Sequence, residues 1–191
     1  MLDSGERLIY VMGPSGAGKD SVLQWAREHL PATKAGLPLH WARRTITRAP
    51  TDRGEQHESV SVALFHQLAH DGAFALQWEA NQTSYGIRTE ALAPLAWGDG
   101  VIVNGSRAHC PQALARFPRM KLVHVTASAA TLRERLLARG RESADAVEQR
   151  LSRLAGNQPP AAHLEIVNDG ALADAGRVLL DWLQAQESRK T

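Results

Sequence analysis

The chain has a single cysteine, Cys110, in 191 residues. A lone thiol excludes an internal disulfide and fits a reducing compartment. Aromatic residues make up only 5% of the chain, and its five tryptophans are scattered, without the pattern of a stacking platform for single-stranded nucleic acid. Neither sign of charge prevails: Lys+Arg 22 against Asp+Glu 20 leaves a formal charge of +2. That balance excludes wholesale wrapping of nucleic acid, so any anion site must come from local clustering. No apolar run approaches the ~18–20 residues of a membrane-spanning helix. Asp3 and Glu6 precede the first apolar run, the wrong flank for a secretory signal. What is present, 43% hydrophobic and 22% charged residues, is the mix of a folded soluble protein. The length suits one domain with room for an inserted subdomain. The expectation is a cytoplasmic protein without nucleic-acid or membrane partners, a monomer or a homodimer.

Two periodicities alternate along the chain. Arg7–Met12 is an apolar run of strand length ending at a glycine. From Lys19 a helical pattern follows, with Val22, Leu23, Ala26 and Leu30 on one face and Pro31 as its stop. Leu39–Thr45 reads as a second strand. Residues 44–90 read as polar and irregular, with a short helix near Leu64–His70, and so as an insertion. Val101–Val103, Leu122–Val125 and His163–Val167 read as further strands. Helices are expected around Leu132, Leu136 and Leu137, around Val147, Leu151 and Leu154, and at the C-terminus through Leu172, Ala175, Leu179, Trp182 and Leu183. Strands alternating with helices predict an α/β fold on a parallel sheet covered on both faces.

The strongest local signal is Gly13-Pro14-Ser15-Gly16-Ala17-Gly18-Lys19-Asp20-Ser21. It follows a predicted strand and opens a predicted helix, the context a phosphate-binding P-loop requires. Glycines let the backbone wrap a polyphosphate with its N–H groups inward, and the helix N-terminus adds partial positive charge. Lys19 is expected to reach the β- and γ-phosphates of ATP. The residue after the lysine is ordinarily Ser or Thr, whose hydroxyl ligates Mg²⁺; here it is Asp20, followed by Ser21. Asp20 either touches the metal or its water shell, or sits in the first helical turn because the dipole favours a carboxylate there.

With this loop in place, the rest resembles the guanylate-kinase-like P-loop kinases over nearly the whole chain. Thr47-Arg48-Ala49-Pro50 and Gly54-Glu55 match the start of that family's acceptor-binding insertion, Tyr85-Gly86 its end, and Arg139-Gly140 its lid. The resemblance implies a five-stranded parallel sheet (core 1–43 and 91–191), an acceptor-binding insertion over about 44–90, and an arginine-rich lid over about 138–148. The guanine-reading positions depart. Arg44 replaces a serine, Leu76 a glutamate, Thr51 an arginine and Val60 a tyrosine. A base-reading site needs fixed polar partners, and a leucine offers none. GPSGAGKDS, Arg44–Arg48, Val103–His109, Arg139–Glu142 and Asn168–Gly170 together are similar to a branch of these kinases that serves bacterial phosphonate breakdown. That resemblance implies transfer from ATP to the 1-phosphate of ribose 1,5-bisphosphate, giving 5-phosphoribosyl 1-diphosphate and ADP.

On this reading Arg44, Arg48 and Tyr85 bind the acceptor, since a guanidinium fork grips phosphate at two points. Asn104, Ser106 and Arg107 join them, following a strand at the carboxyl edge where ligands of parallel sheets collect. Glu55 is expected to hold one of the arginines in place. Within the run that includes Arg133, Arg135 and Arg153, the residues expected to act on the transferring group are Arg139, Arg141 and Arg150; Arg133 and Arg153 read as solvated. Asn168 is expected near the adenine. His66 and His70 share the i, i+4 spacing of metal ligands but lack an intervening glutamate. Two other functions stay open: a nucleoside monophosphate kinase, and a non-catalytic interaction module built on the same fold.

Overall fold

A computed structural model describes residues 5–30, 38–49, 57–138, 140, 143–155 and 160–188. In chain order the elements are β1 (Leu8–Met12), α1 (Lys19–His29), β2 (Leu39–Trp41), β3 (Arg44–Ile46), β4 (Glu58–Ser59), α2 (Val62–His70), β5 (Phe74–Ala80) and β6 (Thr83–Arg88). A 3₁₀ helix (Thr89–Trp97) follows, then β7 (Gly100–Asn104), α3 (Cys110–Arg116), β8 (Lys121–Thr126), α4 (Ala129–Ala138), α5 (Ala144–Ala155), β9 (Leu164–Val167) and α6 (Leu172–Ser188).

The fold is α/β on a five-stranded parallel sheet of order β2-β7-β1-β8-β9. β2 runs parallel to β7 and β8 parallel to β9. Every residue of β1 and β7 is buried, which is why these segments read as unbroken apolar runs rather than alternating ones. By contacts the chain divides into two compact units, Met1–Tyr10 with Ala35–Lys121, and Val11–Lys34 with Leu122–Thr191.

In the second unit α1 packs on α6. Val22, Leu23 and Ala26 are buried, as their spacing predicts, and so are Ala175, Leu179 and Leu183. The Trp25 ring lies against Gly176, where a Cβ would come within 2.2 Å of it. The predicted stop of α1, Pro31, lies outside the described residues; the helix ends at His29, with Leu30 already extended.

The first unit departs from two expectations. Leu39–Thr45 is not one strand. β2 lies in the five-stranded sheet, and β3 belongs to a second, four-stranded sheet of order β4-β3-β6-β5. Strand partners are non-local, so a segment of strand length cannot by itself reveal where a chain leaves one sheet for another. Nor are the described residues of 44–90 irregular: β3 to β6 and α2 fill most of them. The hairpin joining β5 to β6 turns on Asn81 and Gln82, both left-handed at φ 50 and 57. A two-residue turn of this hand matches strand twist, but Asn-Gln lacks the glycine that advertises one.

The register sorts the second sheet into two faces. Ile46 stands opposite Tyr85, Tyr85 opposite Trp78, and Leu76 opposite Ile87, so Arg44, Leu76, Trp78 and Tyr85 share one face. On the other, Glu58 accepts hydrogen bonds from Thr45 (2.6 Å) and from Arg88 at both Nε (3.0 Å) and Nη2 (2.7 Å). The Arg88 guanidinium also lies over Phe74, and Phe74 occupies the space a Cβ on Gly86 would need. This explains Gly86 as a packing requirement.

Candidate active site

The phosphate loop lies in the second unit, between β1 and α1. Its glycines have separate reasons. A Cβ on Gly13 would fall 2.0 Å from the Val125 carbonyl oxygen of β8. Gly16 and Gly18 are left-handed, at φ 95 and 80, a conformation that costs a residue with a Cβ about 1 kcal/mol or more. Gly18 is also the N-cap of α1 and contributes no side-chain cap, which leaves the first N–H groups of the helix for a ligand. The N–H of Ala17 turns back onto the Pro14 carbonyl at 3.3 Å.

Asn168, at the end of β9, is buried, and its Nδ2 donates to the Ala17 carbonyl at 2.8 Å. Its side chain therefore braces the loop. The neighbouring Asp169 accepts the Ser128 N–H at 2.8 Å, and that bond holds its carboxyl below the ordinary aspartate range. Ser128 in turn accepts from the Thr131 N–H at the start of α4. The Asn-Asp pair thus ties β9 both to the loop and to α4.

A cavity of about 350 Å³ opens on the loop, lined by Gly16, Gly18, Ser21, Arg135, Asn168 and Leu172 among others. Arg135 is a residue the sequence reading passed over. It sits on α4 and lines this cavity, with Nη1 buried and lacking a hydrogen-bond partner. No spacing rule separates it from the other arginines of its run. Arg133, read as solvated, is exposed and pairs with Glu148 of α5. Arg150 lies half-buried on α5. Arg139 and Arg141 lie outside the described residues, as do Pro50, Thr51, Gly54 and Glu55, and nothing is described of the Arg153 side chain; Gly140 follows α4 in a left-handed turn at φ 61.

Asp20 and Ser21 open α1 with one carboxylate and one hydroxyl. These hard oxygen donors suit Mg²⁺, which takes few protein ligands and completes its shell with water and phosphate oxygens. Among the described residues no cluster of three or more His, Cys, Asp or Glu could cage a cation by itself.

The predicted acceptor residues lie in the first unit. Arg44 is 7% exposed, and its guanidinium stands 5.5 Å from the centroid of the Tyr85 ring. Arg48 follows β3, and its carbonyl accepts from Ser59 Oγ at 2.8 Å. Asn104 ends β7, buried. Ser106 is held by Tyr10 of β1: the Tyr10 hydroxyl donates to the Ser106 carbonyl (3.0 Å) and accepts its N–H (2.9 Å). Burial lowers the Arg107 guanidinium from its ordinary value. Cys110 begins α3, and burial pushes its thiol up to about 11, which leaves it protonated and a poor nucleophile.

No protein-family model matches the chain. A guanylate kinase from Anaplasma phagocytophilum shares the fold, with a TM-score of 0.65 over 99% of this chain and 90% of that one at 14% identity. A Chromobacterium violaceum protein named ribose 1,5-bisphosphate phosphokinase PhnN is 44% identical, across 96% of this chain and 97% of its own. A Burkholderia pseudomallei protein of the same name is 46% identical across 95% and 97%. A third, from Laribacter hongkongensis, is 51% identical over 94% of this chain, which spans 43% of that longer relative. Identity of this order over essentially full length means that the chain belongs to the ribose 1,5-bisphosphate phosphokinase family, built on a guanylate-kinase-like fold.

Proposed function

We propose that the chain transfers the γ-phosphoryl group of ATP to the 1-phosphate of ribose 1,5-bisphosphate, giving 5-phosphoribosyl 1-diphosphate and ADP, in phosphonate catabolism. One observation carries the reading furthest: a buried arginine, Arg44, stacks on Tyr85 beside a buried Leu76. Such a surface grips phosphate and offers a nucleobase no polar edge. The family membership supports the same acceptor.

An oxygen of the 1-phosphate attacks the γ-phosphorus, the bond from that phosphorus to the bridging oxygen of the β-phosphate breaks, and ADP leaves. The attacking oxygen is already ionised at neutral pH, so no general base is needed. The work left to the protein is to position two anions and neutralise spreading charge. Backbone N–H groups of the loop, other than that of Ala17, which bonds the Pro14 carbonyl, and the Lys19 ammonium hold the β- and γ-phosphates. Asn168 keeps the loop in shape. Asp20 and Ser21 would hold Mg²⁺, which offsets phosphate charge when bound. Arg44, Arg48, Tyr85, Asn104, Ser106 and Arg107 bind the acceptor. Arg139 and Arg141 act on the transferring group from a lid over about 138–148 and Arg150 from the helix that follows, while 44–90 serves as the acceptor-binding insertion in a single kinase domain.

The test is ATP consumption with ribose 1,5-bisphosphate, with GMP and with no acceptor, the product identified by phosphorus NMR. A new diphosphate resonance with ribose 1,5-bisphosphate alone is expected. Faster turnover of GMP would identify a nucleoside monophosphate kinase, and no turnover with either would identify an interaction module.

A further inference from the structure

The contact of Arg44 with Tyr85 is one end of a longer aromatic ladder on the second sheet. Arg44, Tyr85 and Trp78 stand on one face, on the neighbouring strands β3, β6 and β5. The Arg44 guanidinium lies 5.5 Å from the Tyr85 centroid. Tyr85 stacks on Trp78 at 5.5 Å with their planes 4° apart, and Trp78 stacks in turn on His109 at 5.3 Å and 23°. His109 Nδ1 meets the Tyr10 hydroxyl at 3.3 Å, the same hydroxyl that holds Ser106. The ladder thus runs from Arg44 to the segment after β7.

Its order has a chemical consequence. Proteins hold a nucleobase by stacking on a ring face and bonding its polar edge. Here Tyr85 has Arg44 toward one neighbouring strand and Trp78 toward the other, and the indole has two stacked partners of its own. The stacking capacity of both rings is engaged within the protein. Leu76, on the same face two residues before Trp78, is 4% exposed and has no polar atom to read an edge. The polar groups this face carries are the Arg44 guanidinium and the Tyr85 phenol, groups that bind phosphate.

We propose that Trp78 is a specificity-determining, positioning residue of the acceptor site: its indole fixes Tyr85 and Arg44 for a sugar phosphate and engages the ring faces on which a nucleobase would stack. The proposal rests on the acceptor reading above and adds to it the residue that excludes the base.

The experiment compares wild type, Trp78→Ala and Trp78→Phe, with ATP and either ribose 1,5-bisphosphate or GMP. Trp78→Ala is expected to lower kcat/KM for ribose 1,5-bisphosphate about tenfold, through KM, and to raise kcat/KM for GMP by about tenfold, the range one pocket contact commands. The KM for ATP stays unchanged, and Trp78→Phe, which restores a ring, returns the wild-type preference. An unchanged ratio between the two acceptors, or equal losses on both, would overturn the proposal and leave Trp78 a packing residue. Should Trp78→Ala fail to fold, Trp78→Leu keeps apolar volume without a ring and is read by the same ratio. If the wild type does not use ribose 1,5-bisphosphate, the functional reading falls by itself. Calorimetry with GMP then decides Trp78: tighter binding to the variant than to wild type upholds it, and equal binding sinks it.

Discussion

Asn168 and Ala17, 151 positions apart in sequence, are joined by a buried hydrogen bond of 2.8 Å from the asparagine amide to the loop carbonyl. A P-loop works because its N–H groups converge on the ligand, which requires its carbonyls to be held elsewhere. Asn168→Ala leaves the Ala17 carbonyl unsatisfied, at a cost of about 1–3 kcal/mol. The expected outcome is a lower melting temperature and roughly tenfold weaker binding of both ATP and inorganic triphosphate, since about 1.4 kcal/mol is tenfold. Weakening confined to ATP, with triphosphate binding intact, would mean that Asn168 acts on the adenine instead.

Tyr10 and Gly105 form a second such pair. A Cβ on Gly105 would fall 2.1 Å from the Tyr10 ring, and the hydroxyl beyond that ring binds both backbone groups of Ser106. Burial raises the Tyr10 phenol above its ordinary value, so it remains a donor throughout the working pH range. Tyr10→Phe keeps the packing and removes the bonds; about 1–3 kcal/mol of stability is expected to go, with a higher KM for the acceptor and an unchanged KM for ATP. Gly105→Ala is expected to cost more, because a rigid ring must move. Thermal melts and steady-state kinetics check both; a Tyr10→Phe variant that matches wild type would remove Tyr10 from the acceptor site.

Glu58 gives the second sheet a pH dependence. Its bonds from Arg88, first, and Thr45 lower its carboxyl below the ordinary value. A folded-state value below the unfolded one stabilises fully above the unfolded range, about 4.3 for glutamate, and that stabilisation is lost as pH falls through the folded value. The side chain is 37% exposed, so water screens the pair and the effect is modest. Wild type is expected to melt above Glu58→Gln at neutral pH, the gap closing as pH falls below about 4. A gap that persists in acid would point to packing rather than charge.

Asp20 separates two roles by titration. Asp20→Ser is expected to raise the Mg²⁺ concentration for half-maximal rate about tenfold, while binding of metal-free ATP changes little, because a carboxylate favours Mg²⁺ more than a hydroxyl does. An unchanged metal titration would leave Asp20 with its helix-dipole role alone.

Periodicity and local chemistry determined much of this protein from the sequence alone. The glycine–lysine loop between an apolar run and an amphipathic helix and the parallel α/β order were legible, because each depends on residues close in the chain; the departures at Arg44 and Leu76 were legible only against the resemblance to guanylate-kinase-like enzymes. Only the tertiary structure decided that β2 and β3 part into different sheets, that Asn168 grips Ala17, that Arg135 lines the loop cavity, and that Trp78 stands between Tyr85 and His109. Apart from Trp78 and Tyr85, neighbours across one hairpin, these contacts join residues tens to more than a hundred positions apart, and hydrogen bonds and ring stacking act over a few ångströms. A sequence can name the partners of such contacts, but only the folded chain brings them within that distance.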